Sequence, residues 1–314
     1  LKFVIDNSSK EFNILNPSGF YRFLKERQEV SLSIGVEIGD GVFEYVSTKG
    51  YYLTDWQSDE GALTTTFTAR NIFELFEKEY AQSVVSNLYD LAEDVLIKAG
   101  VPKYFIDPSL KDISTNGFVD KVTYRKALQC VGIASKSAVY QDRSGTVIIK
   151  PFVILDESTS YINFAGIDVF TGMITPTVYS GYDMKNITFD NVYNEPQINL
   201  EKLVQTLIVT VYSNGSKTEY AFTNPGIKEG ATLKCDNPLI NSVELATSVA
   251  NWVISESNLR AIYQVNWRQN PALECGDIVF VEDSFGAQKQ SRITKNEYEF
   301  AGYLSGKTET KGGV

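Results

Sequence analysis

The sequence holds no histidine. That absence removes the Ser-His-Asp and Cys-His nucleophile systems and the histidine-ligated zinc hydrolases, each of which needs an imidazole as base or ligand. What remains is carboxylate chemistry, with one carboxyl group donating a proton and a second accepting one, as in glycoside hydrolysis. The candidates for it are Asp55, Glu60, Glu282, Asp283, Glu297 and Glu299. Each falls in a turn or on an alternating strand, where a solvated charge is the ordinary explanation. No catalytic, cofactor-binding or metal-binding residue is therefore assigned, and the chain reads as a non-enzyme.

Other motifs reduce to structure in the same way. Cys130, Cys235 and Cys275 are odd in number and far apart, without the paired spacing of a zinc or redox site, and read as buried thiols. The run Gly35 to Gly41 lacks the lysine and helix start of a phosphate loop, and a hairpin turn accounts for it. Asp183-Met184-Lys185-Asn186 lacks the spaced carboxylates and central glycine of a calcium loop. Asn7, Asn186 and Asn214 open Asn-X-Ser/Thr triplets and read as turn residues. Trp56, Trp252 and Trp267, with Tyr51 and Tyr52, are material for a sugar-binding surface, yet core packing explains them better, since Trp252 sits in an amphipathic pattern and Trp267 in a strand pattern.

Any such residue needs a scaffold, and 314 residues at 43% hydrophobic and 22% charged are enough to bury a large core in two or three domains. The 18 Tyr and 18 Phe, with many Thr and Val, favour strands over helices. A β-rich α+β protein is expected. Lys and Arg total 29 against 39 Asp and Glu, a net charge of -10. The few basic clusters, such as Arg22 to Arg27, also contain acids, so a groove for nucleic-acid phosphates is not expected. No apolar stretch is long enough for a transmembrane helix, and Leu203 to Tyr212 is too short and interrupted. No signal peptide is recognisable. The chain opens at Leu1 straight into the strand-like Lys2-Phe3-Val4-Ile5, from which a missing upstream segment is expected.

Three sections follow from the hydrophobic period. Residues 1–78 read as antiparallel sheet, with Leu32, Ile34, Val36 and Ile38 expected on one buried face and Val42 to Val46 returning after Gly39-Asp40-Gly41. A threonine-rich strand, Leu63 to Thr68, leads to a helix near Asn71 to Glu79 with Ile72, Leu75 and Phe76 on one face. In residues 79–196 the period lengthens. Val84, Leu88, Leu91, Ala92 and Val95 predict a helix stopped by Gly100, and Thr123 should cap a second one that buries Ala127, Leu128 and Val131. Strands around Val139 and Ile148 complete an α/β section. In residues 197–314, Leu207 to Tyr212, Asn214-Gly215 and Lys217 to Phe222 predict a hairpin. A helix over 242–256, carrying Leu245, Ala246, Val249, Ala250 and Val253 on one stripe, and strands near 259–267, 277–281 and 292–300 come next. The glycine-rich Lys311-Gly312-Gly313-Val314 reads as a domain end or linker.

Particular strings add a resemblance. Gly50-Tyr51-Tyr52-Leu53-Thr54-Asp55-Trp56, followed by Leu63 to Asn71, resembles the first barrel of phage tail-tip hub proteins. Asn237-Pro238-Leu239-Ile240 before a helix, then Trp267 to Asp277, and the stretch Arg292 to Thr308 resemble their second barrel. The helix preceding Tyr140-Gln141-Asp142-Arg143-Ser144-Gly145 matches their middle domain. The resemblance covers most of the chain in the right order. It implies two tube-like antiparallel β-barrel or sandwich domains with flanking helices, bracketing a small α/β domain. It implies a homotrimer whose barrels form a pseudo-sixfold ring continuing the tail tube, in the tail tip or baseplate of a virion or phage-like bacteriocin, assembled in the bacterial cytoplasm. Partners would be a tube or distal tail protein, a tape measure, and receptor-binding or fibre proteins. DNA would pass without specific contact, no cofactor would be needed and no membrane would be entered.

Two rivals come from other classes. A cell-wall hydrolase, or a tail endopeptidase whose catalytic part lies in a missing extension, would release soluble peptidoglycan fragments, and a hydrolase acting through this chain's carboxylates would lose that activity on changing Glu282 or Glu297. A carbohydrate-binding adhesion module would bind host polysaccharide through Trp56 or Trp267.

Overall fold

The computed structural model describes residues 1–58, 63–152, 186–213 and 215–313. The chain is α+β and β-rich, with two curled half-barrel sheets, and it divides into two compact units, Leu1–Lys150 and Pro151–Val314. Among the described residues no helix is long and apolar enough to cross a membrane.

The first unit opens with β1 (Lys2–Asp6), β2 (Glu29–Gly39), β3 (Val42–Gln57) and β4 (Thr64–Asn71), joined antiparallel in the order β1-β4-β3-β2. β3 is long enough to serve two partners that overlap only at Tyr51 and Tyr52: β2 pairs with it from Val42 to Tyr52, and β4 from Tyr51 to Gln57. Gly50, at φ +74°, lies just before that overlap, and a Cβ there would come within 2.9 Å of the Gly145 backbone.

The Asn71–Glu79 helix is a 3-10 turn, Ile72–Glu77, which buries Ile72 and Phe76. β5 (Glu79–Tyr80) precedes α1 (Leu88–Lys98). Asn87 caps α1 by accepting the Asp90 N–H, and the helix buries Leu88, Leu91, Ala92, Val95 and Leu96. Val84 does not belong to this helix. It precedes the cap and is fully exposed.

β6 (Tyr104–Ile106), β7 (Val122–Thr123), α2 (Tyr124–Ser135), β8 (Ser137–Gln141) and β9 (Val147–Pro151) complete the section. Thr123 caps α2 as predicted, and Ala127, Leu128 and Val131 are buried. Gln141 ties this section to the first sheet: its amide nitrogen donates to the carbonyls of Lys49 (3.1 Å) and Gly50 (3.2 Å), and its oxygen accepts the Ile72 N–H at 3.0 Å.

Asp94 on α1 anchors the chain leading into that helix. Burial pushes its carboxyl pKa up, but bonds from the hydroxyls of Tyr80 and Ser83, the Lys98 ammonium and the Ser83 N–H outweigh this and hold it at about 2. A depressed folded-state pKa adds stability above the unfolded value and loses it as pH falls through the folded one. The stability lead of wild type over Asp94→Asn is thus expected to be full above about pH 5 and to shrink as pH falls towards about 2. Urea titrations at stepped pH measure it, and a pH-independent gap would refute it.

The second unit holds β10 (Asn186–Ile187), β11 (Gln197–Leu200), β12 (Val204–Ser213), β13 (Ser216–Thr223), β14 (Ala231–Asp236), α3 (Val243–Asn258), β15 (Ala261–Trp267), β16 (Ile278–Glu282), β17 (Gln288–Phe300) and β18 (Leu304–Gly312). The predicted hairpin is β12–β13, with Gly215 at φ +77°; Asn214 lies outside the described residues, as do Asp183 to Lys185. β14 adds parallel to β12, and α3, capped by Ser242, packs on β12. The larger sheet runs β10-β16-β17-β18-β15-β11 around a core of Ile187, Tyr263, Val265, Trp267, Val281 and Ile293.

Three expectations fail here. The glycine-rich end is not a linker: Lys311 and Gly312 finish β18, which lies between β15 and β17 and pairs with both. Cys130 is buried, but Cys235 and Cys275 are only half-buried. Leu32, Val36 and Ile38 are exposed and Ile34 is only half-buried, because β2 neighbours β3 alone and β4 ends its pairing at Tyr51. Alternation made the strand, but among the described residues no layer covers its apolar face.

Candidate functional site

The structure separates the carboxylates named from sequence. Asp55 is exposed on β3, and Glu60 lies outside the described residues. Glu282 accepts the Phe189 N–H at 2.9 Å, and Asp283 accepts those of Phe285 and Ala287, both at 2.9 Å, which fixes a turn. Glu297 and Glu299 lie two residues apart on β17, and both line one cleft. Glu297 is ion-paired with Lys295, which holds its carboxyl below the usual carboxylate range. A general acid needs the opposite shift. Among the described residues no group of three or more His, Cys, Asp or Glu is placed to hold a metal.

The aromatic candidates follow the packing reading. Trp267 is buried, and its indole N–H donates to Thr308 at 2.8 Å, so it cannot stack on a ligand. Trp252 stacks on Phe152 with ring centroids 5.6 Å apart. Trp56, Tyr51 and Tyr52 are half-buried.

Two surfaces remain. One is the free half of the β2–β3 hairpin. Leu32, Ile34 and Val36 face the same side as Val46, while Phe43 and Tyr45 stack on the other side with centroids 6.2 Å apart. Val36, Ile38, Val42, Phe43 and Tyr45 are 51% to 63% exposed. Among the described residues β2 also leaves one edge of eleven residues unpaired; it contains no Pro, Lys or Arg, and its charges are Glu29 and Glu37 alone.

The other surface is the cleft, about 590 Å³, at the turn between β17 and β18. Glu297, Lys307 and Asn266 lie on one rung across β17, β18 and β15, and Glu299 and Ser305 pair two rungs on, on the same face. Tyr193 is held beside them by its N–H, which donates to the Asn266 carbonyl at 2.8 Å. Tyr298 and Tyr303 complete the walls.

No family model matches the chain, and no curated protein matches it in sequence. Solved structures do match. A tail protein from Neisseria meningitidis MC58 aligns with a TM-score of 0.58 at 10% identity, over 99% of this chain and 90% of that one. The 43 kDa tail protein of prophage MuSo2 from Shewanella oneidensis gives 0.55 at 13% identity, over 99% of this chain and 87% of that one.

The chain has the fold of phage tail proteins. A chain of the PdpA–VgrG complex shares this fold, with a TM-score of 0.51 at 11% identity over 99% of this chain and 57% of that one. At such identities the likeness is one of fold.

Sequence reasoning missed Tyr193, Tyr298 and Tyr303. Tyr303 left one signal, an aromatic beside the turn glycine Gly302, at φ +85°. Tyr193 left none, since it reaches the sheet through non-local bonds, the bridge between Val192 and Trp267 and its own N–H to Asn266.

Proposed function

We propose that the chain is a structural component of a phage-type tail tip, a baseplate-hub protein that acts by assembling and has no catalytic role. The observation carrying this reading is the free β2–β3 hairpin, apolar on both faces and open along β2, in a chain with the tail-protein fold. The proposed occupant of that edge is a second copy of the chain. Closed homo-oligomers use such repeated contacts, and three copies, each with two tube-like sections, would meet a sixfold tube above. The three-section division at residues 78 and 196 belongs to the same proposal. So do the other partners: tube or distal tail protein, tape measure and receptor-binding or fibre proteins.

Charge supports passage of DNA without specific contact, because each subunit brings ten surplus negative charges that repel phosphates at close range. A reconstruction of the assembled tail tip is expected to place this chain in a threefold ring around an electronegative channel. A different symmetry, or a channel lined by Lys and Arg, would contradict the proposal.

A further inference from the structure

The cleft between the β17–β18 turn and Tyr193 is not needed for assembly through β2, and its chemistry is specific. Tyr193, Tyr298 and Tyr303 are 38% to 62% exposed, although rings of this size usually bury most of their surface. Tyr298 is held in place, since its hydroxyl donates to the Leu273 carbonyl at 2.8 Å and accepts from the Asn296 amide. Its place on β17 turns it to the sheet face opposite Glu297 and Glu299, so the rings left to meet a ligand beside those carboxylates are Tyr193 and Tyr303. Gly306 lies between these walls, and any Cβ there would collide with the Glu297 carbonyl, so β17 and β18 stay close.

Polar groups around the rings are uncommitted. The hydroxyls of Tyr193, Tyr303 and Ser305, the Asn266 amide and the Glu299 carboxylate make no hydrogen bond among the described residues. They supply acceptors and donors on one short stretch of surface. Lys307 stands near enough to Glu297 to lower its pKa, so the cleft carries charges of both signs. This composition disfavours a phosphate backbone, which needs clustered cations. It also disfavours a lipid tail, since the rings are tyrosines interleaved with carboxylates. The cleft volume falls within the range of roughly 300–1,000 Å³ usual for small-ligand sites.

We infer that this cleft binds a neutral oligosaccharide, with the C–H faces of the sugar rings against Tyr303 and Tyr193 and the sugar hydroxyls donating to Glu299 and Glu297. Asn266, Ser305 and Lys307 donate to the ring and hydroxyl oxygens. The site is one of binding: Lys295 holds Glu297 ionised, which leaves it an acceptor. The inference does not depend on the tail-tip role, and either can fail alone.

Calorimetric titration of the chain with cellotetraose, maltotetraose and chitotetraose tests it. Saturable binding to at least one is expected. Tyr303→Ala and Glu299→Ala are each expected to weaken it by about tenfold or more. Phe285→Ala, which changes an exposed turn residue that does not line the cleft, should leave it unchanged. Because Tyr303 and Glu299 are exposed, circular dichroism of both variants should match wild type. Failure to bind any of the three sugars overturns the inference. So does binding that neither substitution weakens.

Discussion

Truncating Leu91 to alanine is expected to cost about 2–5 kcal/mol of folding stability, with a similar loss for Leu128→Ala. Both side chains are buried in the packed helical layer of the first unit, Leu91 on α1 and Leu128 on the neighbouring α2. Removing three carbons there forfeits the transfer energy of the apolar surface and leaves a cavity that helices braced on both sides cannot close. α1 is fixed through Asn87 at its start and the Asp94 cluster in its middle, and α2 through Thr123, so collapse around the gap is restricted. Urea denaturation monitored at the first unit's own transition is the measurement. Val84→Ala is the control, expected within about 0.5 kcal/mol because Val84 is fully exposed. Losses below about 0.5 kcal/mol at both leucines would mean that the helical faces are misassigned.

Local signals carried well from sequence to structure. The cap Thr123 and the helix start at Ser242 act within one helical turn and were legible for that reason, whereas Asn87, which caps α1, was missed because the apolar period was begun at Val84. The β12–β13 hairpin is legible for the same reason, since its pairing begins at Ser213 and Ser216. Non-local pairing was not legible. Lys311 and Gly312 carry the composition of a linker, yet β15 and β17 capture them from both sides. Leu32, Val36 and Ile38 show the reverse failure: their alternation declares a covered face, and a single chain supplies no cover.

The cleft was half legible. Glu297 and Glu299 are two of the six candidate carboxylates, and both line the cleft. The partner that decides their chemistry is Lys295, which holds Glu297 ionised. For Trp267 core packing was the better reading of its strand pattern, and the residue does fill the core of the second unit and donate to Thr308. The exposed rings are tyrosines brought together by sheet pairing and the bridge at Val192.

The free hairpin gives the second large effect. The double substitution Val36→Lys with Ile38→Lys is expected to abolish incorporation of the chain into tail particles while leaving its folding stability within about 0.5 kcal/mol of wild type. The two halves follow from one observation. Both side chains are more than half exposed in the single chain, so replacing them removes little buried contact. In an assembly that covers β2, the same positions would bury two ammonium groups without partners. Desolvating such unpaired charges costs several kcal/mol each, more than a strand-edge contact of this size returns. Lysine on an edge strand is also the device by which sheet proteins avoid pairing with other chains, and β2 lacks it. Purified particles probed for the chain, with thermal melting of the isolated variant alongside, measure both halves. Incorporation at the wild-type level would show that β2 stays uncovered in the particle and would remove the main support for assembly through it. A melting temperature several degrees below wild type would show instead that the hairpin folds back onto its own chain.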